Sequence, residues 1–345
     1  MKKIILQTNV EKAEQIFEDA GIVVIVTHVS PDGDAVGSSL GLRHFLETQG
    51  KTVYVIVPNA FPDFLRWMPG AKDILRYDKY GEFARELIGK ADLICCLDFN
   101  DLKRIDNLAE PVREAKCRKI MIDHHLDPER FCDVTISHPH VASTSELVFR
   151  LICRLSCFND ITLECAQCIY TGMMTDTGGF TFNSNDEDIY FIISQLISKG
   201  IDKDEIYRNV FNTYSEGRLR LMGYVLYKKM QLFTYFNSAL ICLGKNELAN
   251  FHFNKGDTEG FVNMPLQIKG IRFSAFLRED TEKSMIKVSL RSTGDFPCND
   301  VARDFFGGGG HKNASGGEVY GTMEQAVNLF KQALIKYEDQ LKRKN

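Results

Sequence analysis

Ile22-Val23-Val24-Ile25-Val26-Thr27-His28-Val29-Ser30-Pro31-Asp32-Gly33-Asp34-Ala35-Val36-Gly37-Ser38-Ser39 is the stretch that decides the fold. Its first five residues are all β-branched and too few for a buried helix, so they read as a central parallel strand covered on both faces. Pro31 and Gly33 mark a turn, and a helix is predicted from near Ala35, with small Gly37, Ser38 and Ser39 in its first turns. His28, Asp32 and Asp34 are thereby placed at the carboxyl end of a strand. In open α/β sheets ligands bind along that edge, because the loops diverge there and helix amino termini point into the crevice. Two adjacent carboxylates repel, and a neutral imidazole beside them does not relieve the repulsion; a divalent cation would. Imidazole plus carboxylates suits Mn²⁺ or Mg²⁺ better than a thiolate-bound structural zinc. The competing reading of the same residues is an Asp-Gly-Asp turn that caps the helix.

The pattern recurs along the first half of the chain. A helix over residues 9 to 20 precedes the first strand, and the helix after the acidic turn runs to about Gln49. Thr52 to Val57 is a second β-branched strand, followed by a loop with Pro58, Pro62, Pro69 and the only tryptophan, Trp67. Leu93-Ile94-Cys95-Cys96-Leu97 is a third buried strand and ends in Asp98. Lys119-Ile120-Met121-Ile122 is a fourth and ends in Asp123-His124-His125. Acids and imidazoles thus follow three strands that, in a parallel sheet, would share one rim. Ser143-Thr144-Ser145-Glu146 opens a helix as an N-cap with an acid in its first turn. A further helix from Thr162 ends at Thr175-Asp176, beside Gly178 and Gly179.

Composition narrows the function classes. At 345 residues the prior is two domains, and 44% hydrophobic residues is ample for two cores. With 42 basic and 46 acidic residues the net charge is −4, which argues against a surface that coats long nucleic acid; a nucleic-acid partner should be short and gripped locally. The amino-terminal apolar run is too short for a signal-peptide core and no stretch approaches a membrane span, so a cytoplasmic location and reduced cysteines are expected. Cys165-x-x-Cys168 lacks a second pair and sits in an apolar helical pattern, so these thiols read as small core groups.

Helices are predicted around 187–199, 202–213 and 215–229. Shorter alternating strands follow at Gln231–Phe236, Ala239–Leu243, Ile271–Leu277 and Ile286–Leu290, resembling a smaller mixed sheet. The segment 214–230, with Arg218 and Arg220, reads as a connecting helix. After a helix over Asn299 to Phe306 comes Gly307-Gly308-Gly309-Gly310-His311. Successive glycines allow backbone N–H groups to converge on an anion, with His311 as a partner and Arg291-Ser292 on a nearby strand end. No G-x-x-x-x-G-K-[ST] motif occurs, which disfavours a P-loop nucleotidase.

The ordered set His28-x-x-Pro31-Asp32-x-Asp34, Asp98, Asp123-His124-His125, Asp176 and Gly-Gly-Gly-Gly-His resembles the DHH phosphoesterase superfamily with its DHH-associated carboxyl-terminal domain. The likeness covers nearly the whole chain, and within the superfamily it is nearest the bifunctional oligoribonuclease and 3′-phosphoadenosine-5′-phosphate (pAp) phosphatase type. The resemblance implies an α/β architecture: residues 1–213 as a parallel-sheet catalytic domain with helices on both faces, 214–230 as a linker helix, and 231–345 as a smaller mixed-sheet substrate-binding domain, with the active-site cleft between them. It implies two divalent ions, Mn²⁺ first, with Mg²⁺ or Co²⁺ as alternatives. His28, Asp32 and Asp98 would hold one; Asp34, Asp98, His124 and Asp176 would hold the other. His125 would meet the scissile phosphate or protonate the leaving oxygen, and Asp123 would orient the histidines. Arg291 and His311, with the backbone of Gly308, Gly309 and Gly310 and with Ser292 as a further contact, would hold the substrate's other phosphate. Short RNA or pAp would be the substrate, with no long duplex and no membrane as partner.

Phosphoester hydrolysis independently calls for neutralised non-bridging oxygens and a deprotonated water, and paired cations supply both. The competing enzymes share the metal site: a stand-alone cyclic or linear dinucleotide phosphodiesterase, or a RecJ-like exonuclease on short single-stranded DNA. A catalytically dead nucleotide sensor is the non-enzymatic alternative, disfavoured because all the candidate ligands are present.

Overall fold

The computed structural model describes residues 1–254 and 256–343. They form two compact units, Met1–Thr213 and Tyr214–Asn345. The strands of the first unit are β1 (Ile22–Val26), β2 (Thr52–Val57), β3 (Leu75–Arg76), β4 (Leu93–Leu97), β5 (Arg118–Asp123) and β6 (Val134–Ser137). Its helices are α1 (Gln7–Asp19), α2 (Gly33–Thr48), α3 (Tyr77–Lys90), α4 (Ala109–Glu114), α5 (Thr144–Arg154), α6 (Leu163–Asp176), α7 (Glu187–Ser198) and α8 (Lys203–Phe211). The six strands are ordered β3-β2-β1-β4-β5-β6 and every pairing is parallel. Val23 to Val26 are fully buried because both faces of the sheet are covered. Val23 and Ile25 face the core that includes α1, α2, α5 and α6, while Val24 and Val26 face α3 and α4. β3 and β6 add to the four strands expected; the first is two residues long, too short for any periodicity to register.

One feature of α2 brings the site together. Gly33, Gly37 and Gly41 recur every fourth residue and face α6. A Cβ on Gly37 would lie 2.7 Å from the Cys168 carbonyl oxygen and 2.8 Å from the Gly172 Cα, so the two backbones touch without a side chain between them. Asp34 starts α2 and Asp176 ends α6, so this close approach sets how near their carboxylates come. Gly37→Ala is therefore expected to destabilise the first unit by about 1–3 kcal/mol, since the obstacle is backbone and cannot rotate away. Urea unfolding of the full chain measures it; an unchanged midpoint would mean the helices can separate at no cost.

The second unit holds β7 (Met230–Phe233), β8 (Ser238–Leu243), β9 (Phe273–Glu279), β10 (Ile286–Ser292), β11 (Gly309–His311) and β12 (Ala314–Val319), ordered β11-β12-β10-β9-β8-β7. Only β8 and β9 pair in parallel, so the sheet is mixed. Helices α9 (Glu216–Tyr224) and α10 (Lys245–Asn250) contribute to one core and α11 (Cys298–Phe306), α12 (Met323–Lys336) and α13 (Glu338–Lys342) to another. Leu221 and Val225, on the segment expected to connect the domains, are buried with Ile241 and Leu243 of β8, which makes that segment part of the second unit's core. The strand expected over Gln231–Phe236 stops at Phe233. Thr234–Phe236 is a 3-10 turn closed by Asn237 in the left-handed region.

The glycine run also differs from its expected form. Gly307 adopts φ 58° and closes α11, and the N–H groups of Gly307 and Gly308 both donate to the Ala302 carbonyl. Gly309–His311 is an edge strand paired with Ala314–Gly316. The amide of Gly308 is thus spent on a helix end, and Gly307, Gly309 and Gly310 are exposed. All ten cysteines are free. Burial pushes the Cys165 thiol up to about 12 and Cys168 well up, as befits apolar core groups. Among the described residues no helix is long and apolar enough to cross a membrane.

Candidate metal centre

The strand order of the first unit reverses between β1 and β4, which is where a doubly wound sheet opens a crevice. His28 follows β1 and Asp98 follows β4, so both flank that point; β5 ends in Asp123 and delivers His124 and His125 beside them. Asp98 turns with φ 62°, a left-handed conformation that aspartate tolerates better than most residues. Its Oδ2 lies 3.5 Å from His28 Nε2 and its Oδ1 lies 3.5 Å from His124 Nε2. His28 Nε2 is 3.8 Å from Asp32, and His124 Nε2 is 3.9 Å from Asp34 and 3.5 Å from Asp176. Two ligand-like sets result, His28 with Asp32 and Asp98, and Asp34 with His124 and Asp176, each with donor atoms within 4.8 Å of one another. The structure therefore gathers all six residues expected to bind metal.

Asp32 does what both readings of the acidic turn require. Its Oδ1 caps α2 by accepting from the amides of Asp34 and Ala35, and the same carboxylate faces His28. Asp123 is fully buried and accepts from the backbone N–H and Nδ1 of His125. His124 is held through Nδ1 by the Val141 carbonyl, which turns its Nε2 toward the acids.

Sequence reasoning missed a second set of supports. Thr144 N and Ser145 N, at the start of α5, donate to the two oxygens of Asp34, and Thr144 Oγ1 donates to Asp98 Oδ1 at 2.9 Å. The N-cap motif was legible, but nothing local ties it to acids more than forty residues away in the chain. Thr144→Val keeps the shape and removes the hydroxyl, so Mn²⁺ affinity measured by calorimetry should fall roughly 10–100-fold. An unchanged affinity would make the Thr144 contact incidental.

The charges fit a cation. Asp34 and Asp98 are nearly inaccessible to solvent, and among the described residues no lysine or arginine pairs with either. Burial, reinforced by Asp98 and Asp176, raises Asp34 well above the usual carboxylate range. Burial acts the same way on Asp98, but the His28 hydrogen bond and the neighbouring imidazole charges outweigh it and hold Asp98 low. Burial lowers His28 and His124, and the facing carboxylates more than reverse that. The facing carboxylates thus favour positive charge at this place, and the oxygen-rich, thiolate-free donors suit a divalent metal.

In the second unit Arg291 and His311 both stand opposite Ala314, on β10 and β11 either side of β12. Directly paired residues share a sheet face, so the two basic side chains rise from one row with a small residue between them. Ser292 is a different matter. Its buried hydroxyl donates to the Phe296 carbonyl and accepts from Asn313 Nδ2, so it braces the strand end and has no proton left to offer a substrate.

A doubly wound sheet with imidazoles and carboxylates converging at its switch point defines a metal-dependent hydrolase. The DHH family, N-terminal domain, matches residues 22–173 and the DHHA1 domain matches residues 235–338, and the chain belongs to this family of phosphoesterases. It is 32% identical over 323 residues to the bifunctional oligoribonuclease and PAP phosphatase NrnA of Thermus thermophilus, covering 93% of this chain and 92% of that one. A crystal structure of an exopolyphosphatase-related protein from Bacteroides fragilis superposes with a TM-score of 0.95 at 66% identity, covering 99% of this chain and 100% of the other. RecJ of Thermus thermophilus in complex with Mn²⁺ shares the fold, with a TM-score of 0.57 at 13% identity, over 98% of this chain and 56% of RecJ.

Proposed function

We propose that this chain is a dinuclear phosphoesterase that cleaves short oligoribonucleotides to mononucleotides and removes the 3′-phosphate of pAp. The observation that carries the reading is Asp98, whose two oxygens face two different donor sets. His28, Asp32 and Asp98 would hold one ion, and Asp34, Asp98, His124 and Asp176 the other. Mn²⁺ is favoured by the mix of imidazole and carboxylate donors and by its presence in the RecJ structure, with Mg²⁺ and Co²⁺ as substitutes. When bound, such ions neutralise phosphoryl oxygens and make water acidic enough to attack.

The chain's own groups supply the rest. Asp123 holds Nδ1 of His125 at 2.8 Å and so orients the ring, and His125 would hand a proton to the departing ribose oxygen. The first unit is the catalytic domain. In the second, Arg291 and His311, with the amides of Gly309 and Gly310, bind a substrate phosphate, a role supported by their common row on the sheet. Similarity to the NrnA protein supports nucleotide substrates.

A product time course with Mn²⁺ tests this on dinucleotide, pAp, cyclic dinucleotide, pyrophosphate and polyphosphate side by side. Mononucleotide from the first and adenosine monophosphate plus phosphate from the second are expected. Turnover confined to polyphosphate would instead favour the reading suggested by the Bacteroides fragilis protein, and turnover confined to cyclic dinucleotide would overturn both.

A further inference from the structure

Arg104 is a basic residue whose backbone is fixed beside the candidate metal centre. It lies in the 3-10 segment Leu102–Leu108 that follows Asp98, and its carbonyl accepts from Val29 N at 2.8 Å, which fixes its backbone against the residue next to His28. Arg104 is thereby anchored between the loop that carries His28 and the strand end that carries Asp98. Arg104 is half-buried, and among the described residues its side chain has no hydrogen bond or ion pair. Two acids bonded to this segment are already committed. Asp101 accepts from Lys103 N and faces the Lys103 ammonium, and Glu129 accepts from Leu102 N. Its platform is rigid as well: Asn100 Nδ2 donates to the Leu126 carbonyl and Glu129 N donates to the Asn100 carbonyl, tying this segment to the loop after His125.

A guanidinium without a counterion beside a site built for cations is unfavourable unless an anion comes to lie between them. Arginine's planar fork matches phosphate oxygens and stays charged at every working pH. We propose that Arg104 is a substrate-binding residue that grips the non-bridging oxygens of the phosphate presented to the metal centre. This rests on the phosphoesterase reading and adds the protein's own cation to it. Arg104 would bind the phosphate in the ground state and hold it as charge accumulates on the equatorial oxygens, while Lys103, 91% exposed in its side chain and facing Asp101, plays no part.

The test uses the full chain as wild type, Arg104→Gln and Arg104→Lys. Calorimetry with Mn²⁺-loaded protein measures the affinity for adenosine 5′-monophosphate and for inorganic phosphate; dinucleotide turnover is measured in parallel. In Arg104→Gln, affinity for both anions should fall about 10–100-fold, the loss of a charge-assisted hydrogen bond, with partial recovery in Arg104→Lys. The Mn²⁺-induced rise in Tm should be unchanged, because the residue is no metal ligand. If Arg104→Gln binds both anions within twofold of wild type, or if wild type binds neither, the proposal is overturned. If wild type binds the anions through Arg104 yet hydrolyses neither dinucleotide nor pAp, the assigned substrates fail while the role of Arg104 stands.

Discussion

Asp98→Asn is expected to lower kcat/KM with Mn²⁺ by at least about 10³-fold, more than the loss of a single preorganised donor usually costs. The substitution keeps the volume, and an amide can still accept from Thr144 Oγ1. What it removes is the charge shared by the two donor sets, because Asp98 alone turns one oxygen to His28 and the other to His124. The Mn²⁺-induced rise in Tm should shrink with it, since both donor sets lose a charged neighbour at once. Circular dichroism should report an intact fold, as β4 and β5 are held by pairing that does not involve the side chain. A variant retaining activity within tenfold of wild type would refute the bridging role.

The second large effect is on stability and runs with pH. In the metal-free protein His28 and His124 titrate above their ordinary 6.5, and Asp34 above its ordinary 3.8. The folded chain therefore holds more protons than the unfolded chain from the carboxylate range up through the raised imidazole range. The stability these groups confer is present below their unfolded values and is lost as pH rises through the folded ones. Asp98 acts oppositely, but its contribution disappears only as pH falls below the carboxylate range, outside that window. Mn²⁺ displaces those protons, so its apparent affinity should strengthen and the metal-induced rise in Tm should grow as pH rises. At a free concentration of about 100 times Kd the stabilisation is about 2.7 kcal/mol, or roughly 5–10 °C for a unit of this size. Thermal unfolding from pH 5.5 to 8.5, with and without Mn²⁺, measures it. A shift that is constant or declines with pH would show that the ion does not replace the protons of this cluster.

Much of this was legible along the chain. The β-branched runs at Ile22–Val26 and Leu93–Leu97 announce buried parallel strands, because only a strand covered on both faces is uniformly apolar. The acids and histidines after them were readable as rim residues for the same reason. The DHHA1 half was less transparent. Gly309–His311 lacks the side chains by which a strand is recognised, and it pairs only because Gly308 and Gly317 let the chain pass close to Gly316 and Phe306. No local sign showed that Phe296 and Asn313 would engage the Ser292 hydroxyl.

By itself the sequence determined the central strands of the first unit and the residues that follow them, since propensity, capping and alternation act over a few neighbours. It thereby put His28, Asp98 and Asp123 at strand ends. Only the tertiary structure decided what those residues touch: the glycine face of α2 against α6 that draws Asp34 toward Asp176, the α5 amides and Thr144 hydroxyl on Asp34 and Asp98, and the Val141 carbonyl on His124. These are contacts between segments far apart in the chain, set by how closely backbones can approach, and no local pattern encodes that distance.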